Sequence, residues 1–244
     1  MVTNPQSGTN VFEISSGIYR INTPVSIPGG PEFNFNQYLV VDEQPLLFHT
    51  GPRKMFPLIR EAIERVMPVE RLHYIGISHF EADECGALNE FLTIAPRAVP
   101  LCGSIAAMVS VNDVADRPAR ALADGETLAL GKHTMRWFDT PHMPHAWECG
   151  MMMDTSTRTF FCGDLFTQGG AGDPPLTEAD ARVEASRCLL CGLCANCNTC
   201  VEVLACPAIA RDAVGGKPHV LTELCTGCGA CVQACPNEAI GGCG

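Results

Sequence analysis

Cysteine is distributed very unevenly along this chain of 244 residues. Of its 15 cysteines, eleven lie between residues 188 and 244, and only four precede them. Disulfides would be the first expectation for so many thiols in a small secreted protein. The amino terminus, MVTNPQSGTN, lacks the basic and then apolar pattern of a secretion signal. We therefore expect a cytoplasmic chain whose cysteines bind metal.

The change in composition near residue 180 predicts two domains. We expect an N-terminal domain at residues 1–167, a linker at residues 168–180 and a C-terminal domain at residues 181–244. The linker contains the run QGGAGDPPLTE, whose glycines and prolines are typical of a connecting segment.

The C-terminal domain contains a dense cysteine motif from Cys225 to Pro236, with the spacing C-x2-C-x2-C-x3-C-P. This spacing resembles one half of a bacterial-type ferredoxin, in which the fourth cysteine of each half binds the cluster of the other half. Upstream, Cys206-Pro207 repeats the end of the motif. The resemblance implies a small α+β domain that holds two [4Fe–4S] clusters. A zinc ribbon is the less favoured alternative.

The upstream half is irregular, because it has more cysteines than one cluster needs. Five of them occur at every third position: Cys188, Cys191, Cys194, Cys197 and Cys200. We favour the last three as ligands because they lie nearest to Cys206. The first three remain an alternative, since a glycine follows their second cysteine just as Gly229 follows Cys228.

With the favoured choice, the resemblance implies a complete ligand set for each cluster. Cluster I would be bound by Cys194, Cys197, Cys200 and Cys235, and cluster II by Cys225, Cys228, Cys231 and Cys206. Three cysteines then remain without an assigned role: Cys188, Cys191 and Cys243.

The N-terminal domain mixes strands and helices. Residues 37–41 and 45–49 are apolar runs on either side of the turn 42–44, which indicates a hairpin. Apolar residues at helical spacing predict a helix over about 53–67. Further helices are predicted near 86–92 and 104–111, and strands near 74–79, 133–138, 151–154 and 159–162. This order of elements predicts a layered α/β sandwich.

Three motifs follow in sequence along this domain. The apolar run 74–77 leads into His79-x-Glu81-x-Asp83, the segment 140–145 reads T-P-H-x-P-H, and residues 163–166 read G-D-L-F. Their order resembles the metallo-β-lactamase superfamily. Glu81 stands where that superfamily has its second histidine, and this substitution resembles the flavodiiron and oxygen-binding di-iron branch. The resemblance covers about residues 11–168 and implies an αββα sandwich that is truncated at its C-terminal end.

The same resemblance implies a non-haem di-iron site. One iron would be held by His79, Glu81 and His145, the second by Asp83, and both would be bridged by Asp164. His145 is preferred to His142 because the 18 residues between His145 and the bridging aspartate match the spacing in that branch. His142 is expected to tune the site indirectly or to shape the turn at 140–141. Mixed carboxylate and imidazole ligands suit iron or manganese better than zinc.

The chain departs from the flavodiiron pattern in two places. Flavodiiron proteins have a histidine directly after the motif aspartate, where this chain has Glu84. They also have a last ligand histidine further along, and His219 is a weak candidate for it. The second iron could use Glu84 or water, take a ligand from another subunit, or be absent. The truncated sandwich should expose a sheet edge, so we expect a homo-oligomer or a subunit of a complex.

Two further histidines are given structural roles by the sequence. His49 precedes Thr50-Gly51 and is expected in a turn or a pocket wall. His133 is expected at the surface.

The net charge of −11 argues against nucleic acid and against an anionic membrane surface as partners. It suits docking to a basic redox partner protein.

Three functions are compatible with the sequence. The first is an iron redox protein that passes electrons from its two clusters to a di-iron site that binds, senses or reduces O2 or NO. The second is an electron-transfer subunit whose degenerate sandwich domain serves for docking, and the third is a metal-dependent hydrolase.

Overall fold

The computed structural model describes residues 1–26, 32–167, 197–211, 218–235 and 240. The chain divides into two compact units, Met1–Pro174 and Pro175–Gly244. The predicted linker at 168–180 lies outside the described residues, as do Cys188, Cys191, Cys194 and Cys243. In the described part of the chain, no helix is long and apolar enough to cross a membrane.

An eight-stranded sheet forms the centre of the first unit, with its strands side by side in chain order. The strands are β1 Val2–Asn4, β2 Thr9–Ser15, β3 Ile18–Ser26, β4 Glu32–Val40, β5 Leu46–Phe48, β6 Tyr74–Gly76, β7 Val99–Gly103 and β8 Arg120–Leu122. Strands β1 to β5 pair antiparallel, and β5 to β8 pair parallel. The parallel strands therefore end at one common edge, where their following loops come together.

Helical segments connect the parallel strands. They are α1 Phe56–Glu64, α2 Ala82–Cys85, α3 Leu88–Ile94, α4 Ser104–Ala106 and α5 Asn112–Val114, with a π turn at Ala107–Val111 between the last two. Short 3₁₀ turns occur at Arg53–Met55 and Val69–Arg71. Ile59 and Ile63 of α1 and Phe91 of α3 are fully buried in one cluster with Leu47 and Ile75 of the sheet. Helices thus cover one face of the large sheet.

A four-stranded sheet packs against the opposite face. Its order is β12-β11-β10-β9, from β9 Thr127–Ala129, β10 Thr134–Asp139, β11 Gly150–Asp154 and β12 Thr159–Phe161. Trp137, Met152 and Phe161 of this sheet are buried in one cluster with Phe48 and Leu46 of the large sheet. Burying each such side chain contributes roughly 1.5–3 kcal/mol. The core between the sheets therefore holds the two halves of the site together.

The sandwich predicted from the sequence is confirmed. The hairpin β4–β5, helix α1 and strands β10 to β12 lie where they were predicted, within a few residues. The outer side of the small sheet carries Arg136, Phe138 and Phe160, and Phe160 is 45% exposed.

The surface position predicted for His133 is wrong. His133 is buried, and its Nδ1 lies 2.9 Å from Oδ2 of the fully buried Asp154. The pair joins the start of β10 to the end of β11. The residues next to His133 in the sequence do not reveal this pair, because Asp154 comes from a neighbouring strand.

The second unit contains short elements in its described parts. A π turn covers Thr199–Val203, β13 Ile209–Ala210 pairs antiparallel with β14 His219–Val220, and α6 covers Ala230–Ala234. Gly227 and Gly229 adopt φ angles of 69° and 73°, a conformation that favours glycine. The cysteine-rich loop therefore depends on glycine at both positions.

Candidate metal centre

The predicted ligands of the first unit come from three places in the fold. His79 follows β6 at the carboxyl edge of the parallel strands, and Glu81 is the residue before α2. His145 lies in the loop between β10 and β11, and Asp164 lies in the 3₁₀ turn Gly163–Phe166 that follows β12. The site thus forms only when the two sheets pack together.

Backbone contacts fix these segments against one another. The amide of Gly150 donates a hydrogen bond of 2.7 Å to the carbonyl of Ser78, and the amide of Phe80 donates to Oε1 of Glu148 at 3.2 Å. Gly163 has a φ of 53°, and a Cβ there would lie 3.0 Å from Ser78 Oγ. A larger residue at 163 would therefore displace the turn that carries the site aspartate.

Four of the predicted ligands converge on one point. His79, Glu81, His145 and Asp164 each place one ligand atom within 4.8 Å of the others. Nε2 of His145 lies 3.1 Å from Nε2 of His79 and 3.1 Å from Oε1 of Glu81. Oδ2 of Asp164 lies 3.4 Å from His79 Nε2. Two imidazole nitrogens and two carboxylates that face each other in this way suit an iron or manganese ion.

A second group of donors adjoins the first. Glu81, Asp83 and Glu84 bring their carboxylate oxygens within 4.8 Å of one another. Glu81 is common to both groups, whereas Asp164 belongs to the group around His79. The bridging role that the sequence assigns to Asp164 stays a prediction.

The electrostatics of the site favour a cation. Burial opposes protonation of His79, but hydrogen bonds to Asp164 and Cys149 and the charge of Glu84 outweigh it and raise the pKa of His79 to about 10. The hydrogen bond from His79 holds the pKa of Asp164 below its usual value. Burial, a side-chain hydrogen bond with Asp83 and the negative charges of Asp83 and Asp164 raise the pKa of Glu84 to about 9. A field that favours a protonated imidazole also favours a metal ion.

A hydrogen-bonded chain lies behind His79. Ser78 Oγ lies 2.9 Å from His79 Nδ1 and 2.8 Å from Nε2 of His49, and all three residues are buried. Burial, reinforced by the nearby charge of His79, lowers the pKa of His49 to about 3. His49 has a φ of 66°, in keeping with the turn predicted for it. Neither its contact with Ser78 nor any role for Ser78 was predicted from the sequence.

Two of the other candidate histidines lie outside both donor groups. His142 is exposed, has a φ of 63°, and donates its amide to the carbonyl of Ala146 at 2.9 Å, as expected of a turn residue. His219 is exposed on β14 and joins neither group. The structure therefore brings no third imidazole to the described part of the centre.

The structure describes seven of the eight predicted cluster ligands, all except Cys194. Within the described part of the chain, no disulfide joins these ligands, which are Cys197, Cys200, Cys206, Cys225, Cys228, Cys231 and Cys235. Among the described residues they form no group that converges on a single ion, as a zinc ribbon would require. Ligands of a [4Fe–4S] cluster each bind a different iron. Among the described residues, a Cβ at Gly227 or Gly229 would meet nothing within 4 Å.

The fold and the site define a metallo-β-lactamase-like protein in which carboxylates and histidines converge at the carboxyl edge of the parallel strands. Residues 33–184 match the family described as ODP family beta lactamase, and the chain belongs to this family. Residues 218–241 match the 4Fe-4S binding domain. The recognition of a flavodiiron-like core joined to a ferredoxin motif is confirmed by these matches.

Named relatives share the first unit. The chain is 29% identical over 136 residues to the rubredoxin-oxygen oxidoreductase of Megalodesulfovibrio gigas, covering 55% of this chain and 34% of that protein. It is 28% identical over 138 residues to the anaerobic nitric oxide reductase flavorubredoxin of Klebsiella pneumoniae, covering 55% of this chain and 28% of that protein. The chain thus spans about a quarter to a third of the curated relatives that it matches.

A solved structure supports the same fold. The metal-soaked flavodiiron core from Synechocystis sp. PCC6803 superposes with a TM-score of 0.61 at 19% identity, covering 81% of this chain and 53% of that one. At this level of identity the likeness concerns the fold alone.

Proposed function

We propose that this chain is an iron redox protein that reduces O2 or NO at a non-haem di-iron centre with electrons from its own [4Fe–4S] clusters. The observation that carries the proposal is the convergence of His79, Glu81, His145 and Asp164 on one point. The relatives named for oxygen and nitric oxide reduction share this unit. When bound, the irons would supply redox-active sites with open positions for a diatomic ligand.

The residues around the centre divide its surroundings into a closed side and an open side. His79 and Glu84 are buried, whereas the side chains of Glu81 and His145 are each 48% exposed. A small ligand would therefore approach past Glu81 and His145. On the closed side, the hydrogen-bonded chain behind His79 would hold its imidazole in place.

The ferredoxin-like unit would supply the electrons. Its proposed ligands are Cys194, Cys197, Cys200 and Cys235 for one cluster and Cys225, Cys228, Cys231 and Cys206 for the other. Reduction of O2 to water consumes four electrons and four protons, and two clusters that each carry one electron cannot store that number. Repeated turnover therefore requires a redox partner protein that reloads the chain, and the negative charge of the chain suits a basic partner.

Metal analysis and Mössbauer spectroscopy of protein purified without oxygen test this proposal. We expect cluster iron together with iron that is not bound to sulfide, and rapid consumption of O2 or NO by the reduced protein. Cluster iron alone would instead favour an electron-transfer subunit with the sandwich used for docking. Zinc in the first unit would favour a hydrolase.

A further inference from the structure

Glu84 places a carboxylate oxygen inside the site with no hydrogen-bond partner. The residue is 3% exposed, and among the described residues its Oε2 accepts no hydrogen bond. This oxygen lies 3.7 Å from Nε2 of His79, the atom that faces the first donor group. A buried carboxylate oxygen without a partner is costly, so its position calls for a ligand.

The backbone of Glu84 is held independently of this carboxylate. Its carbonyl accepts hydrogen bonds from the amide of Thr50 at 2.7 Å and from Thr50 Oγ1 at 3.2 Å. Its amide donates to the carbonyl of Glu81 at 3.2 Å. The end of β5 and the start of α2 therefore direct the side chain inward, and the fold itself maintains the unpartnered oxygen.

The donors around Glu84 contain no imidazole. Glu81, Asp83 and Glu84 form a group of three carboxylates. Glu81 also belongs to the group that contains His79. Two ions bound at the two groups would therefore share one carboxylate.

We propose that Glu84 binds the second metal ion of the centre, together with Asp83 and Glu81, in a position whose protein donors are all carboxylate oxygens. This inference rests on the proposed function and adds a property of its second metal position. Oxygen donors suit hard ions such as Mn²⁺, whereas imidazole suits zinc. The preference for Zn²⁺ over Mn²⁺ should therefore be smaller at the second position than at a position that includes an imidazole.

The test counts Mn²⁺ ions by electron paramagnetic resonance, so it does not depend on activity. Full-length protein is depleted of non-cluster metal, kept with its clusters oxidised and silent, and titrated with Mn²⁺ alone. We expect wild type to bind two Mn²⁺ per chain and Glu84→Gln to bind one. The remaining ion should keep the nitrogen coupling of His79 and His145. Glu70→Gln, at an exposed turn, is the matched control and should bind two.

Glu84→His supplies the converse test. It should still bind two ions, show nitrogen coupling at both, and raise the preference for Zn²⁺ over Mn²⁺ at the second position by about tenfold or more. Circular dichroism of the metal-free variants checks that each is folded.

Retention of two ions by Glu84→Gln, or an unchanged Zn²⁺ preference in Glu84→His, overturns the inference. A single nitrogen-coupled ion in both wild type and Glu84→Gln also overturns the inference, and it reduces the proposed di-iron centre to its first metal position. The absence of any nitrogen-coupled ion in wild type counts against the proposed function itself.

Discussion

Ser78 Oγ lies 2.9 Å from His79 Nδ1, on the side of the ring opposite the nitrogen that faces the donor group. An imidazole that binds metal through Nε2 carries its proton on Nδ1 and donates it. Ser78 then accepts from His79 and donates to Nε2 of His49 at 2.8 Å. The buried chain of three residues therefore orients His79 from behind.

Ser78→Ala should weaken metal binding without removing a ligand. Loss of the acceptor frees the ring of His79 to rotate, and such partners typically contribute 10-fold to 100-fold in affinity. We expect a decrease in that range for Mn²⁺ or Fe²⁺, measured by competition with a chromophoric chelator. Ser16→Ala, in an exposed turn, is the control and should bind as wild type does. An affinity equal to that of wild type in Ser78→Ala would show that Ser78 has no orienting role.

Asp164 is the residue whose removal should affect oxygen chemistry most. Its Oδ2 lies 3.4 Å from His79 Nε2 and 3.9 Å from His145 Nε2, so Asp164→Ala removes a negative charge beside both imidazoles. We expect this variant to lose non-cluster iron and rapid reoxidation by O2, leaving only the slow reoxidation of exposed clusters. Stopped-flow absorbance of the reduced protein measures both phases.

Asp113→Ala is the control for this experiment, because Asp113 is exposed and lies outside both donor groups. It should reoxidise at the rate of wild type. Equal rates for Asp164→Ala and wild type would mean that the sandwich performs no oxygen chemistry. The electron-transfer subunit with a docking domain would then be the better account.

The cluster assignment predicts that the two halves of the ferredoxin unit can be separated by mutation. Cys228→Ala should remove cluster II and leave cluster I largely intact, because the halves exchange ligands only through Cys206 and Cys235. The electron paramagnetic resonance spectrum of the reduced variant should lose one of two signals. Retention of both signals would refute the assignment.

A companion pair of variants distinguishes the two sets of upstream cysteines. Cys188→Ala should preserve both clusters, whereas Cys200→Ala should remove cluster I. The same spectra provide the measurement. The opposite result would move the assignment to the first three of the five cysteines.

The sequence predicted those features of the site that depend on spacing along the chain. Strand β6 followed by His79, Glu81 and Asp83 lies as expected, because an apolar run and a polar segment after it are local signals. The contact of His49 with Ser78 was not predicted, because it joins two parallel strands across 29 residues. The inward direction of Glu84 likewise depends on its contact with Thr50.

Asp154 should make the stability of the fold depend on pH. It is fully buried, and its partner His133 lies 21 residues before it in the sequence. Burial alone would raise the pKa of Asp154, but hydrogen bonds from Thr157, from His133 and from the backbone of Ser156 outweigh it and hold the pKa below its usual value. A group with a lowered folded pKa stabilises the fold above its unfolded pKa. That stabilisation is lost as the pH falls through the folded pKa.

Asp154→Asn should therefore lower the free energy of unfolding by about 3 kcal/mol at pH 7, since hydrogen bonds to a charged group contribute about 1.5–3 kcal/mol and unmatched donors remain. The difference from wild type should shrink as the pH falls below about 4, because the unfolded wild-type chain then binds a proton at Asp154 that the folded protein binds only at lower pH. Urea unfolding of the metal-free protein, followed by tryptophan fluorescence at several pH values, provides the measurement. Asp116→Asn, at an exposed position, should follow wild type throughout. A difference that stays constant from pH 7 to pH 3 would show that the carboxylate of Asp154 stabilises the fold by its shape and not by its charge.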